Sequence, residues 1–177
     1  EHIEGWRVYE NELHTHYQTA VIHHSVIYET DDLTTVIEVQ RLHQVRNGWA
    51  DVGYHFLIGK NGLIYEGRDW GVRGTHVGGY NTGSIGICLL GNFMNDSVTQ
   101  PQYQATEQLL QWLAQRLQLT HVASHRDFND GTLCPGDKLY TYLEQLATAA
   151  NLNQGIDGYM PPGTVCSCCE CDTDQQA

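Results

Sequence analysis

Ten histidines stand beside only nine Lys+Arg in a chain of 177 residues, an imbalance that makes imidazole chemistry the first to weigh. His2, His14 and His16 lie in a polar N-terminal arm and His121 precedes a short strand; all four read as surface residues. His23 and His24 close an apolar run, where side-chain alternation sends them to opposite faces, so at most one of the pair enters a given site. His125 follows Val122-Ala123-Ser124 and opens His125-Arg126-Asp127, and Cys134 stands 134 − 125 = 9 residues later in Thr132-Leu133-Cys134-Pro135-Gly136. Both occupy connections at the ends of core elements, where functional side chains concentrate. Two imidazoles and a thiolate make the three-ligand set that leaves a fourth position open on a catalytic zinc. Spacing alone does not select that set. There is no His-Glu-x-x-His helix, His23 lies 125 − 23 = 102 residues before His125, and each residue also reads as an ordinary structural His or Cys.

Positioning these groups requires a sheet covered by helices, which is what the alternating apolar periods describe. Thr19-Ala20-Val21-Ile22-His23 reads as a buried strand. Residues 33–46 read as a helix, with Leu33, Val36, Ile37, Gln40 and His43 on one face, capped by Asp31 or Asp32 and closed before Asn47-Gly48. Tyr54–Ile58 and Leu63–Glu66 flank Gly59-Lys60-Asn61-Gly62 as a hairpin. The continuous apolar run Ser84–Leu90 reads as a central strand in which Cys88 is a small core residue. Pro101 opens a helix with Ala105, Leu109, Leu113 and Leu117 in one row, widened by Leu110 and Trp112; a strand at 121–124 and a helix at 137–149 follow. The expected organisation is an N-terminal arm (1–18), one folded domain (19–150) and an irregular acidic tail (151–177).

The formal charge is 9 − 21 = −12, but both ends carry much of it: residues 1–12 hold four acids and one Arg, residues 151–177 four acids and no base, leaving 8 − 13 = −5 between them. A chain this anionic is a poor partner for nucleic acid, whose binding rests on Lys and Arg displacing counterions. The bases Lys60, Arg68 and Arg73 group in the hairpin and the loop after it, where a substrate carboxylate could be met. No apolar stretch approaches the roughly 20 residues that span a bilayer. Starting at Glu1 without a Met or a leader, the chain is expected to be a processed or trimmed product. Six cysteines do not form a disulfide framework, since Cys166, Cys168, Cys169 and Cys171 crowd into the tail and only Cys88 and Cys134 remain, a pair that could bridge on paper. The tail thiols admit three readings: a second metal site, local disulfides, or unpaired thiols, with a stapled terminal turn favoured if the protein is exported.

Five segments together resemble a known family. They are Val21-Ile22-His23-His24-Ser25, Gly48-Trp49-Ala50-Asp51-Val52-Gly53-Tyr54-His55-Phe56, Tyr65-Glu66-Gly67-Arg68-Asp69, Asn81-Thr82-Gly83-Ser84-Ile85-Gly86-Ile87, and His125-Arg126-Asp127 with Cys134-Pro135-Gly136. In order and spacing they are similar to the zinc-dependent N-acetylmuramoyl-L-alanine amidases, including amidase-type phage lysozymes and peptidoglycan recognition proteins, over about residues 19–147. The resemblance implies an α/β domain with a central mixed sheet flanked by helices, and one zinc ion at the floor of a surface groove. It implies His23, His125 and Cys134 as metal ligands, and Tyr54 and Thr132 as catalytic residues, with Thr132 standing where phage relatives have lysine. His43, His76, Asn81 and Arg68 match positions near the groove, and Trp49 or Trp70 could offer an aromatic face to a sugar. Arg68 equally fits an ion pair with Glu66 or Asp69. Asp51 or Asp127 could hold the second ring nitrogen of a zinc-bound histidine.

The implied reaction is hydrolysis of the amide between the lactyl group of muramic acid and L-alanine. Zinc lowers the pKa of a bound water from 15.7 toward ~7 and polarises a carbonyl, and a phenolic donor at Tyr54 aimed at the developing oxyanion is worth ~3–4 kcal/mol. Family members with serine in place of Cys134 generally bind peptidoglycan without cutting it, because a hydroxyl does not readily become an anionic ligand. Cysteine therefore favours an enzyme over the rival reading, a non-catalytic peptidoglycan-binding module. Three features depart from relatives. The paired cysteines of many animal recognition proteins after His-His-Ser are absent, which points toward bacterial or phage relatives; Ile87-Cys88-Leu89 replaces the strand glutamate of some bacterial amidases; and the cysteine tail has no counterpart. The expected partner is peptidoglycan or its muropeptides, met by a monomer outside the cytoplasm or in the periplasm, with the cytoplasm left open.

Overall fold

The computed structural model describes residues 13–160. Strand β1 (Thr19–His24) leads to helix α1 (Asp32–Arg41), whose first turn is capped by Asp31 accepting from the Thr34 amide at 2.8 Å. The helix expected over 33–46 is α1 continued by a wider π-type turn, Leu42–Arg46. The hairpin strands are short, β2 (Phe56–Ile58) and β3 (Ile64–Glu66); the expected Tyr54 and His55 precede β2 because their backbone bonds go to Arg68, Gly67 and Gly86. Strand β4 (Ser84–Leu89) is followed by α2 (Gln100–Ala114), which begins at a capping box between Thr99 and Gln102 with Pro101 in its first turn. Then come β5 (His121–Ser124) and the one-turn helix α3 (His125–Phe128). The helix expected over 137–149 is two, α4 (Asp137–Tyr140) and α5 (Leu143–Ala149), interrupted where the Tyr142 amide turns to the Leu139 carbonyl at 3.0 Å.

The sheet order is β3-β2-β4-β1-β5-β6, where β6 is Asn153–Gln154. Among the described residues only β2 and β3 pair antiparallel, so the sheet is mixed, and one domain of sheet and helices results, as the resemblance implied. One face carries Ala20, Ile22, Ile85, Ile87, Leu89 and Val122 against the apolar rows of α2 and α5. The other carries Leu57 and Cys88 against Val39 and Val52. Packing continues across both expected domain boundaries. Leu13 and Tyr17 are fully buried with the first face, and β6 adds to the edge of β5 through bonds from the Asn153 amide to Thr120 (2.9 Å) and the Gly155 amide to Val122 (3.0 Å). A polar segment can do this because strand addition uses the backbone. The cysteine tail and His2 lie outside the described residues. Among the described residues, no helix is long and apolar enough to cross a membrane.

Candidate metal centre

Parallel strands β1 and β5 end on the same edge of the sheet, which brings distant residues together at their carboxyl ends. At that edge alternation separates the two histidines of β1. His24 turns to the α2 face, where its Nδ1 accepts from the Phe93 amide at 3.3 Å and its ring stacks on Phe93. His23 is 1% exposed on the other face, in register with Cys88. His125 opens α3 directly after β5, and Asp127 holds that turn by accepting from the Ser124 amide (2.7 Å), the Ser124 hydroxyl (2.9 Å) and the Tyr140 hydroxyl (2.9 Å). Cys134 is tied back to the same turn through the Arg126 amide, which donates to its carbonyl at 3.0 Å. Thr132 helps to shape this loop, its hydroxyl accepting from the Cys134 amide at 3.2 Å.

His23, His125 and Cys134 thus converge, with one potential ligand atom from each lying within 4.8 Å of the others. Cys134 Sγ is 3.6 Å from His23 Nδ1. The chemistry of this donor set fits a metal ion. Burial holds both imidazoles below their ordinary range, for His23 with His76 and His125 adding to the effect, so both rings are neutral with a lone pair to give. Burial also pushes the Cys134 thiol up to about 12, an environment that wants a cation before the sulfur becomes a thiolate. Two neutral nitrogens and one sulfur suit zinc.

Around this centre the structure sorts the residues expected at the groove. The Tyr54 ring lies 5.1 Å from that of His23, and burial, followed by the neighbouring thiols Cys88 and Cys134, pushes its phenol well up, so it is a proton donor at neutral pH. His43 sits between Trp49 (4.8 Å) and Tyr54 (5.5 Å), its Nδ1 accepting from the Gly53 amide at 3.0 Å. His43, Trp49 and Tyr54 are half-buried and make one aromatic wall beside His23. Trp70 is elsewhere: it packs with the α2 face, stacked on Trp112 at 5.5 Å and His14 at 5.9 Å. His14 is therefore not simply a solvated residue. His121 is half-buried and pairs with the Thr120 hydroxyl, whereas His16 is exposed.

Three other expected groove residues face inward. Arg68 is 2% exposed and donates to the carbonyls of Val52 (2.6 Å), Arg73 (2.9 Å) and Asp51 (3.2 Å) and to the Thr75 hydroxyl (2.7 Å). Asn81 is 4% exposed, its side-chain oxygen accepting from the His76 and Val77 amides, both at 2.7 Å. His76 is 7% exposed, with Nδ1 3.0 Å from His23 Nε2. The carboxylates considered as ring holders are engaged otherwise: Asp127 caps α3, and Asp51 Oδ1 accepts from Gln40 and from the Val52 amide, both at 2.7 Å. The proposed cationic group also disperses. Lys60 lies over Tyr28 and near Asp96, Arg73 bonds Thr82, and Arg68 is buried.

The fold thus carries a His-His-Cys group that could hold a metal ion. Residues 14–137 match the N-acetylmuramoyl-L-alanine amidase family, Amidase_2, and the chain belongs to it. It is 44% identical over 111 residues to peptidoglycan recognition protein 1 of Bos indicus, a match covering 60% of this chain and 58% of that relative's length. Its structure is similar to N-acetylmuramoyl-L-alanine amidase LysC from Clostridium intestinale, with a TM-score of 0.71 and 29% identity over 83% of this chain and 93% of that one. It is also similar to the ectodomain complex of peptidoglycan recognition proteins LCa and LCx bound to tracheal cytotoxin, with a TM-score of 0.69 and 30% identity over 82% of this chain and 87% of that one.

Proposed function

We propose that this protein is a zinc-dependent hydrolase of the amide bond between N-acetylmuramic acid and the L-alanine of the stem peptide. The observation that carries the reading is the presence of Cys134 within 4.8 Å of both His23 and His125 at the ligand atoms, a complete three-donor set. When bound, zinc supplies a Lewis acid for the scissile carbonyl and a nucleophile at neutral pH. The residues of the chain do the rest. Neutral His23 and His125 hold two positions and Cys134 the third. Tyr54 keeps its proton on Oη and can donate it as a hydrogen bond to the carbonyl oxygen as negative charge develops there. His43 and Trp49 offer polar and aromatic surface to the glycan or the stem peptide. All of these belong to one chain, so a second copy is not needed, and a peptidoglycan substrate favours work outside the cytoplasm or in the periplasm.

A second reading is favoured by a specific observation, since the bovine relative carries the name of a recognition protein: the domain binds muropeptides without turnover. Metal analysis with release of stem peptides from purified cell wall separates the two. The enzyme reading expects near-stoichiometric zinc and peptide release, both lost in Cys134→Ser. Zinc-loaded protein that releases no peptide, and whose Cys134→Ser variant behaves identically, would overturn it.

A further inference from the structure

We propose that His76 is a positioning residue of the metal centre rather than a substrate contact: it accepts the Nε2 proton of His23 and so fixes His23 Nδ1 as the ligand atom. The inference rests on the metal reading above and names a device within it. His23 has its two nitrogens directed to different partners, Nδ1 toward Cys134 Sγ at 3.6 Å and Nε2 toward His76 Nδ1 at 3.0 Å. A ligating Nδ1 must be free of its proton, so Nε2 carries it and the hydrogen bond has only one direction, from His23 to His76. Metal-bound histidines are commonly oriented through their second nitrogen in this way.

The surroundings of His76 fit this use. Its Nε2 is buried and bonds no side chain, and the backbone of Ser84 acts on the ring as a hydrogen-bond partner, which suits a ring whose Nδ1 is the acceptor and whose Nε2 keeps the proton. The backbone is cleared around the ring: a Cβ at Gly74 or at Gly86 would each come within 2.6 Å of His76 Cδ2. The segment carrying the ring is held on both sides, by Asn81 at the His76 and Val77 amides and by Arg68 at Thr75 and Arg73. The two imidazole planes meet at 83° with centroids 5.0 Å apart. Using an imidazole here also leaves the centre one charge more positive than an aspartate would, which preserves the Lewis acidity of a bound cation.

The test is zinc affinity, measured by competition with a chromophoric chelator, together with the visible spectrum of the cobalt-loaded protein. His76→Phe fills the space without an acceptor and is expected to weaken zinc roughly 10- to 100-fold and to shift the cobalt bands. His76→Asn, whose Oδ1 is bonded to Cγ as His76 Nδ1 is and can accept from His23, is expected to recover most of the affinity. Should the Phe variant not fold, as judged by urea unfolding of the metal-free protein, the comparison passes to His76→Asn against His76→Gln, whose oxygen lies one bond further out, at the reach of Nε2. Phe indistinguishable from wild type in affinity and spectrum, or Asn equal to Gln, overturns the proposal while leaving the metal centre standing. Wild-type protein that binds no zinc removes the metal reading and this proposal together.

Discussion

Replacing Arg68 separates a scaffold from a substrate contact. The guanidinium makes at least four hydrogen bonds, to the carbonyls of Val52, Arg73 and Asp51 and to the Thr75 hydroxyl. In Arg68→Met these acceptors lose their donor in a site that water hardly enters, at ~1 kcal/mol net for each bond, or ~4 kcal/mol in all. Relief from burying a cation offsets part of this and brings the expected loss to about 3 kcal/mol. At 2–4 °C per kcal/mol for a domain of this size, that is a fall in Tm of roughly 10 °C. Arg68→Lys should be no milder, because a buried ammonium keeps the desolvation cost and cannot reach acceptors spread across a fork. Urea unfolding of the metal-free protein gives the free energy, and muropeptide titration gives the affinity. If Arg68→Met unfolds at the wild-type midpoint with an unchanged slope while muropeptide affinity falls, the scaffold assignment is refuted and the groove assignment restored.

Tyr54→Phe keeps the ring against His23 and removes only the donor, so peptide release should fall ~10²- to 10³-fold with zinc content unchanged; a variant that turns over normally would clear Tyr54 of a catalytic role. Gln102 is fully buried and donates to the carbonyls of Leu90 (2.9 Å) and Ile58 (3.3 Å) while closing the cap of α2. Gln102→Leu should therefore cost about 2–3 kcal/mol in chemical denaturation, and an unaltered midpoint would contradict this. His55 is fully buried and its pKa is lowered from 6.5 to about 4, burial being the main cause. The folded state keeps it neutral while the unfolded chain takes up a proton below pH 6.5. Its contribution is thus complete above pH 6.5 and is lost as pH falls toward 4, amounting to about 3 kcal/mol. Metal-free stability that stays flat across that window, or a His55→Gln variant with the same pH slope as wild type, would refute the assignment.

Much of the architecture could be read from the chain because it rests on local periodicity. The row Ala105, Leu109, Leu113 and the cap before Pro101 specify α2 without reference to anything distant. The continuous run of β4 requires burial on both faces, and the structure buries all of its residues. The short β6 was illegible for a physical reason: Asn153 and Gln154 join the sheet through backbone bonds to residues of the β5 edge, and their exposed side chains carry no pattern. The break between α4 and α5 was equally hidden, since the apolar positions Leu139, Leu143 and Leu146 keep one helical period through the interruption.

The centre divides along a similar line. Donor chemistry allows two histidines and a cysteine as a metal-binding set without selecting which, and His23 and Cys134 are 111 positions apart, so it is the parallel pairing of β1 with β5 that makes them neighbours. Resemblance supplies that pairing, and it also groups residues by their closeness to a groove, which cannot distinguish a side chain that faces the substrate from one that faces the ligands. Burial can. His43 and Trp49 keep part of their surface open, whereas Arg68, Asn81 and His76 spend their polar atoms on backbone and on His23. A residue type held in place beside a metal site is thus as well explained by the geometry of the ligands as by recognition of the substrate. In this chain one path of contacts runs from Arg68 through Thr75 and His76 to His23.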